Sequence, residues 1–585
     1  MDRLISATLD NVARLCEADH YDYIVIGSGI GGGVLARSLV EESCPKTCPK
    51  TCPESCSMTC SKICSKTCFK PRVLIIERGG LLLDTHCTNI ASPRWNQTSL
   101  EGPSMDNAMV YDTLKDSFAT VTSKSLDYAG GPVYGIGGRS LVWGLYTPML
   151  SNNDLERFPA NVQKDLNEDN YNKAYKLMTN DQGASITRPY PLNHGVSIDI
   201  VGGIESIKEK LNSSSHGEEL KSSFRGGKFE LCPMAAEFTA RKSGSRLYQM
   251  VMGGYSTATW ILNQVFNKSE YLNLLTRTQV VTINRNNQNR INSLTVLDGR
   301  GKERVILTGK ATVILCAGTI DTAAVALRSG LGTMNKYVGR GLTDHDIWGT
   351  RFIFLGGRAV GLINGQALRL QRTVTMKANP GPPIDCLVNI TVNAPSFLGH
   401  QRNISWPNLY IGNNNEIISE KEFLDTEAAN PCIRKVMVQV VYCFPSEGLC
   451  DSPDYDSRVL NLPKPVPTIQ VAKKDTSMYT NAMEKLASEI MNCLRCQNPP
   501  EQGTSTIIPR VSRAPFGVVA HEVGTMRMGE DKDQSVVDND LKVHGLENLF
   551  VCDLSVFPTS PSSNPSITLA VLAQRLALYL KTHRP

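Results

Sequence analysis

At 585 residues the chain can hold two or three domains of ordinary size. Hydrophobic residues make up 41% and charged residues 20%, and the net charge is only +5, a balance that argues against a nucleic-acid partner. No run of about 18 apolar residues occurs, so no membrane span is expected. Met1 to His20 scatters its charges and has no apolar core of signal-peptide length, so a cytoplasmic location is expected.

The first readable element spans residues 21 to 33, Tyr-Asp-Tyr-Ile-Val-Ile-Gly-Ser-Gly-Ile-Gly-Gly-Gly. It reads as a buried strand, a glycine turn and the start of a helix. Gly27 permits the tight turn, Gly29 lets backbone approach a pyrophosphate, and Gly32 lets the helix pack close to the strand. The helix N-terminus then faces the phosphates. A second buried strand, Arg72 to Ile76, ends in Glu77, an acid placed to accept from ribose hydroxyls.

Between them stand seven cysteines at an unbroken four-residue step: Cys44, Cys48, Cys52, Cys56, Cys60, Cys64 and Cys68. Without this 25-residue stretch, Gly32 and Glu77 are 20 apart, the usual spacing from the turn to the acid. The stretch is therefore read as an insertion in a dinucleotide-binding unit. Prolines at 45, 49 and 53 oppose a helix in its first half. It is expected to be a surface loop; the seven thiols are also metal or redox candidates, but no histidine or CxxC pair defines a site.

Six glycines punctuate Tyr128 to Leu150, which excludes a regular helix or strand. Gly137, Gly138 and Ser140 suit a second close approach to phosphate or a flat ring, and Trp143 offers an aromatic plane. Residues 151 to 235 turn polar and irregular. Leu274 to Ile283 and Ile291 to Leu297 read as strands flanking a turn. Lys310 to Gly318 reads as a buried strand entering a helix at Thr319 to Ser329. Residues 346 to 510 carry alternating strand patterns such as Lys435 to Tyr442. Asn548 to Asp553 is a last strand, followed by a loop and a helix from Pro565 to Lys581.

The expected fold class is α/β: a Rossmann-like domain built from three segments, with an α+β domain containing an antiparallel sheet. The segments are 1–155, 236–345 and 511–585. Residues 156–235 are a connecting segment or part of the substrate domain, and 346–510 form the second domain, expected to bind substrate.

These motifs resemble the glucose–methanol–choline (GMC) flavin oxidoreductases over nearly the whole chain. The resemblance rests on Ile26 to Gly33, Glu77-Arg78-Gly79, Gly137 to Trp143, Val338 through His345, His521 to Thr525 and Val536 to Leu580. The pairing of His-x-x-Gly-Thr at 521 with Ser-Asn-Pro at 563 is similar to that of pyranose and cholesterol oxidases.

The resemblance implies FAD, with its adenosine end at the glycine turn and Glu77 and its adenine near Val280. Gly137 to Ser140, Asp553 and Leu554 would hold the pyrophosphate and ribityl chain. Asn564, Pro565 and Thr568 would face the isoalloxazine ring. Where related enzymes carry a flavin-linking histidine, this chain has Val142, so the FAD is expected to be non-covalent.

Oxidising an alcohol needs a group that takes the hydroxyl proton while hydride leaves. His521 is the expected base, because imidazole is largely neutral near pH 7. Asn564 is expected to orient the same oxygen. His345 and His544 are read as structural. The expected partners are a small-molecule alcohol and molecular oxygen or another electron acceptor. Two alternatives stay open: a hydroxynitrile-lyase-type enzyme on the same fold, and a thiol-rich metal- or redox-sensing flavoprotein.

Overall fold

The structure is a computed structural model. It describes residues 5–41, 70–89, 92–93, 107–120, 128–179, 229–233, 235, 248–249, 254–356, 368–378, 381–392, 410–411, 417–418, 434–449, 457–461, 466–471, 476–494 and 510–583. The cysteine insertion, 44–68, falls outside the described residues.

A five-stranded parallel sheet carries the first domain. Strand β1 (Tyr23–Ile26) leads into helix α1 (Ile30–Glu41), and β2 (Val73–Ile76) returns beside β1 with Tyr23 opposite Val73. Strand β3 (Leu272–Leu275) pairs with the far edge of β2. A three-stranded antiparallel sheet follows, formed by β4 (Gln279–Arg285), β5 (Ile291–Leu297) and β6 (Glu303–Leu307). Strand β7 (Thr312–Leu315) then pairs with the other edge of β1 and enters helix α2 (Thr319–Arg328).

The apolar runs Tyr-Ile-Val-Ile, Val-Leu-Ile-Ile and Thr-Val-Ile-Leu are buried at every position. That pattern belongs to central strands of a parallel sheet covered on both faces.

The second sheet is antiparallel. Its long strands are β8 (Asp346–Gly356), β9 (Leu368–Met376), β10 (Ile384–Val392) and β11 (Arg434–Phe444). Their spatial order is β8-β11-β10-β9, with Ser512–Arg513 beside β8 and Glu230–Leu231 beside β9. Val438, Val440, Tyr442 and Phe444 recur at period two and pack toward helix α3 (Thr480–Leu494), in one cluster with Met483, Leu486 and Ile490. Strand β12 (Leu549–Val551) closes the parallel sheet beside β7, and helix α4 (Ser566–Thr582) packs on α1. The parallel sheet thus takes strands from three separated stretches of chain, as the expected fold class has it.

Two readings are corrected. Leu274 to Ile283 is not one strand. It breaks at Thr276–Thr278, where Arg277 has φ +50 and its N–H donates to the Gly79 carbonyl at 3.0 Å. The left-handed residue turns the chain from the parallel sheet into the antiparallel one. Residues 151–179 are not irregular either, but hold three helices at 152–155, 160–165 and 168–178. Ser151 and Asn167 cap the first and third by accepting from Asp154 and Asn170 N–H.

Among the described residues no helix is long and apolar enough to cross a membrane.

Candidate active site

The β1–α1 turn is built to approach a ligand. Gly27 has φ +107, and a Cβ there would stand 2.3 Å from the Cys316 carbonyl oxygen. At Gly32 a Cβ would meet the Gly27 carbonyl oxygen at 2.1 Å, so the helix packs on its own turn only without a side chain. Gly29 differs: a Cβ there would meet no protein atom within 4 Å. That open space faces a cavity lined by Gly27, Gly29 and Ile30 at the N-terminus of α1. No acidic residue stands in the helix's first turn. A backbone cradle with free N–H groups and a helix N-terminus suits an anion such as a pyrophosphate.

Glu77 ends β2 beside this turn. Its Oε2 accepts from Ser28 N (3.1 Å) and Ser28 Oγ (2.6 Å), and its Oε1 accepts from Gly79 N (2.9 Å). Burial pushes its carboxyl above the usual range, and these hydrogen bonds oppose the shift. A carboxylate offers about four acceptor positions, so one remains for a ribose hydroxyl. Val280, on β4, also lines the cavity. The residues fit the adenosine and diphosphate of a dinucleotide.

The glycine loop at 137–140 forms the next wall. Gly137 (φ +94) and Gly138 (φ +52) take left-handed backbone, and Gly138 lies close against Gly29. Gly138, Ser140, Val142 and Trp143 line the cavity, whereas Gly137 does not. Ser140 Oγ is occupied by the Gly137 carbonyl at 2.6 Å and by Thr257 N at 3.1 Å, so it braces the loop. Trp143 Nε1 donates to the Tyr255 carbonyl at 2.9 Å. His86 Nε2 lies 2.9 Å from the Trp143 carbonyl, and burial lowers its imidazole to about 4.

The C-terminal segment completes the site. Asp553 and Leu554 line the cavity, but the Asp553 carboxylate is committed to protein donors. It accepts from Gly318 N, Thr322 Oγ1, Ser555 N and Ser555 Oγ. It therefore anchors the N-terminus of α2 and leaves any ligand contact to its backbone. His521 and Asn564 reach the cavity from separate loops. Pro565, the residue before α4, and Thr568 do not line it. The Thr568 hydroxyl instead meets the Tyr171 hydroxyl at 2.8 Å, and Ser566 and Leu569 take the cavity wall.

His521 is held by a buried network that sequence reading did not resolve. His345, at the entry to β8, places its Nε2 3.0 Å from His521 Nδ1. Burial lowers the His345 imidazole to about 4, so it is neutral near pH 7, and its ring bonds the Pro561 carbonyl. A carbonyl only accepts, so His345 directs a ring N–H at Pro561; with that proton on Nδ1, which also lies 3.4 Å from Ser560 Oγ, its Nε2 accepts from His521 Nδ1. That assignment, read from the hydrogen-bond network, leaves His521 Nε2 with a free lone pair. Burial, then His345 and the Arg139 guanidinium, push the His521 imidazole well below its ordinary value. Asp344 accepts from His345 N at 2.6 Å and His521 N at 3.4 Å, and burial followed by Glu522 raises its carboxyl. His345 is thus structural in a specific sense: it sets the tautomer of His521. His544 stands apart, with Nε2 2.9 Å from Ser535 Oγ.

Two family models described as GMC oxidoreductase match residues 240–347 and 452–573. Among curated proteins, a 5-(hydroxymethyl)furfural oxidase of Methylovorus sp. is 24% identical over 315 residues, covering 49% of this chain and 54% of that protein. A dehydrogenase, str4, of Strobilurus tenacellus is 46% identical over 61 residues, a tenth of each chain. Choline oxidase of Arthrobacter globiformis is 38% identical over 73 residues, 12% of this chain and 13% of that one. The chain spans between a tenth and about half of the length of these relatives. Among solved structures, pyridoxine 4-oxidase from Mesorbium loti shares the fold with a TM-score of 0.54 at 16% identity, over 97% of this chain and all of that one. The solved structure shows the shared fold, and the two family models place residues 240–347 and 452–573 in the GMC oxidoreductase family, whose members are flavoproteins.

Proposed function

We propose that this protein is an oxidoreductase that binds FAD non-covalently and oxidises the CH–OH group of a small-molecule alcohol to a carbonyl. The observation that carries the reading is the convergence of His521 and Asn564 on a cavity that begins at the Gly29 cradle. FAD, when bound, supplies the hydride acceptor.

The chain's own residues do the rest. Gly29 and the N-terminus of α1 take the diphosphate, and Glu77 takes a ribose hydroxyl. Val142 offers no atom for a covalent link. His521 Nε2 accepts the hydroxyl proton, which the neutral imidazole can hold because Nδ1 already donates to His345. The Asn564 amide donates to the same oxygen and turns the C–H bond toward the acceptor. Molecular oxygen or another acceptor then takes the electrons.

The test is direct. The purified protein should be yellow, and acid precipitation should release free FAD. With a panel of 5-(hydroxymethyl)furfural, pyridoxine, choline and benzyl alcohol, at least one should drive oxygen uptake or reduction of an electron-accepting dye. A colourless protein that cannot be reconstituted with FAD would refute the cofactor. Flavin retained by the precipitate would refute the non-covalent link.

A pH dependence follows from the depressed His521 imidazole. The base is competent only when neutral, and its neutral form persists below the ordinary imidazole value of about 6.5. The rate of flavin reduction should stay level as pH falls through that value and decline only at lower pH. A decline centred on the ordinary value would show that His521 is not the proton acceptor, or not in this environment.

A further inference from the structure

Arg139, in the glycine loop, reaches the residues on both sides of His521. Its Nη1 donates to the Ala520 carbonyl at 2.6 Å and to Glu522 Oε2 at 2.5 Å. Glu522 is buried, its side chain 1% exposed, and its other oxygen accepts from the Tyr128 hydroxyl. Ala520 has φ +57, the left-handed region that a residue with a side chain adopts at a cost. Such backbone persists where its surroundings over-determine it. Here one guanidinium nitrogen grips the strained residue's carbonyl and the carboxylate two positions on.

We propose that Arg139 is a positioning residue. It locks the 520–522 turn to the Gly137–Gly138 loop and so fixes the aim of the His521 imidazole relative to the cofactor's seat. The inference rests on His521 being the base. Its geometry joins the two loops that must keep register for proton removal and hydride transfer to occur together. His345 sets the tautomer from one side; Arg139 sets the backbone from the other. The guanidinium also lines the cavity, so a direct substrate ligand is the competing role.

Lysine at 139 keeps the charge, but its shorter side chain does not carry the ammonium to the place of Nη1 and so cannot reproduce the grip. Arg139→Met combined with Glu522→Gln removes the grip without leaving a buried charge unpaired. Both should retain FAD and a near wild-type thermal midpoint. With whichever alcohol of the panel reduces the wild type, the limiting rate of anaerobic flavin reduction should fall about tenfold to a hundredfold, the usual cost of misplaced reacting groups. The half-saturating alcohol concentration should hold within about threefold. Ala520→Gly, which relieves the left-handed strain, should recover part of the rate in the Arg139→Lys background. Independently of turnover, histidine-selective NMR of the apoprotein should show His521 in one environment in the wild type and in several in both variants.

A limiting rate within about twofold of wild type would overturn the proposal. So would a raised half-saturation at an unchanged limiting rate, which would make Arg139 a substrate ligand. Loss of the fold in both variants would make its role structural and likewise overturn it. If no alcohol reduces the wild type, the function reading fails by itself; an unchanged His521 signal in the double variant would then still sink the positioning role.

Discussion

His521→Ala is expected to keep its flavin while the rate at which alcohol reduces that flavin falls by about 10²–10⁴-fold, the usual contribution of a positioned base. The His521 imidazole lines the cavity, and with Nδ1 spent on His345 its Nε2 is left to take a proton. Alanine removes that acceptor but none of the residues at the glycine turn, so FAD affinity should hold. Asn564→Ala should lose less, because the amide orients the oxygen and takes no proton. Stopped-flow reduction without oxygen separates the two variants. Reduction of His521→Ala at the wild-type rate would place the base elsewhere.

The second large effect is expected at the glycine turn. Gly29→Val should leave the apoprotein's thermal midpoint near wild type, since a Cβ at 29 meets no protein atom within 4 Å and the position needs no left-handed backbone. The valine would instead fill the space assigned to the diphosphate. Overpacking of a close contact costs about 1–3 kcal/mol, and the upper end is about a hundredfold in FAD affinity. Gly31→Ala makes the contrast. Its Cβ would stand 1.9 Å from the Cys552 carbonyl oxygen, where α1 crosses the end of β12. Backbone has to move there, so the apoprotein itself should melt earlier. Titration of each apoprotein with FAD, beside its melting curve, checks both. Wild-type FAD affinity in Gly29→Val would mean that the cofactor does not sit on this turn.

Much of the architecture was legible because it is local. The runs 23–26, 73–76 and 312–315 are apolar at nearly every position, and Gly27 needs its positive φ whatever surrounds it. The break after Leu275 was not legible. Thr276, Arg277 and Thr278 suit a strand by composition, and the turn is held by bonds to distant residues, from Arg277 N–H to Gly79, Thr278 N–H to Glu77 and Thr276 N–H to Ser6. The cavity gathers most of the residues expected at the site, yet Ser140, Asp553 and Thr568 spend their side chains on protein partners. Each has a partner in a distant segment: Thr257 for Ser140, Gly318 and Thr322 for Asp553, and Tyr171 for Thr568 across 397 positions. The grip on His521 was hidden for the same reason. His345 lies 176 residues from its partner and Arg139 lies 383 from Glu522. One signal was present: Arg139 is a lone charge in an apolar, glycine-rich loop, and a charge there needs a buried partner.

Anaerobic mixing shows whether alcohol oxidation at this site reduces the bound flavin. Wild-type protein reconstituted with FAD is mixed without oxygen with each alcohol of the panel, while flavin absorbance and carbonyl product are followed together. At least one alcohol should bleach the flavin, with one carbonyl formed per flavin reduced, and His521→Ala should slow both equally. A flavin that stays oxidised with every alcohol, while the protein splits a cyanohydrin into aldehyde and cyanide, would contradict alcohol oxidation at this site.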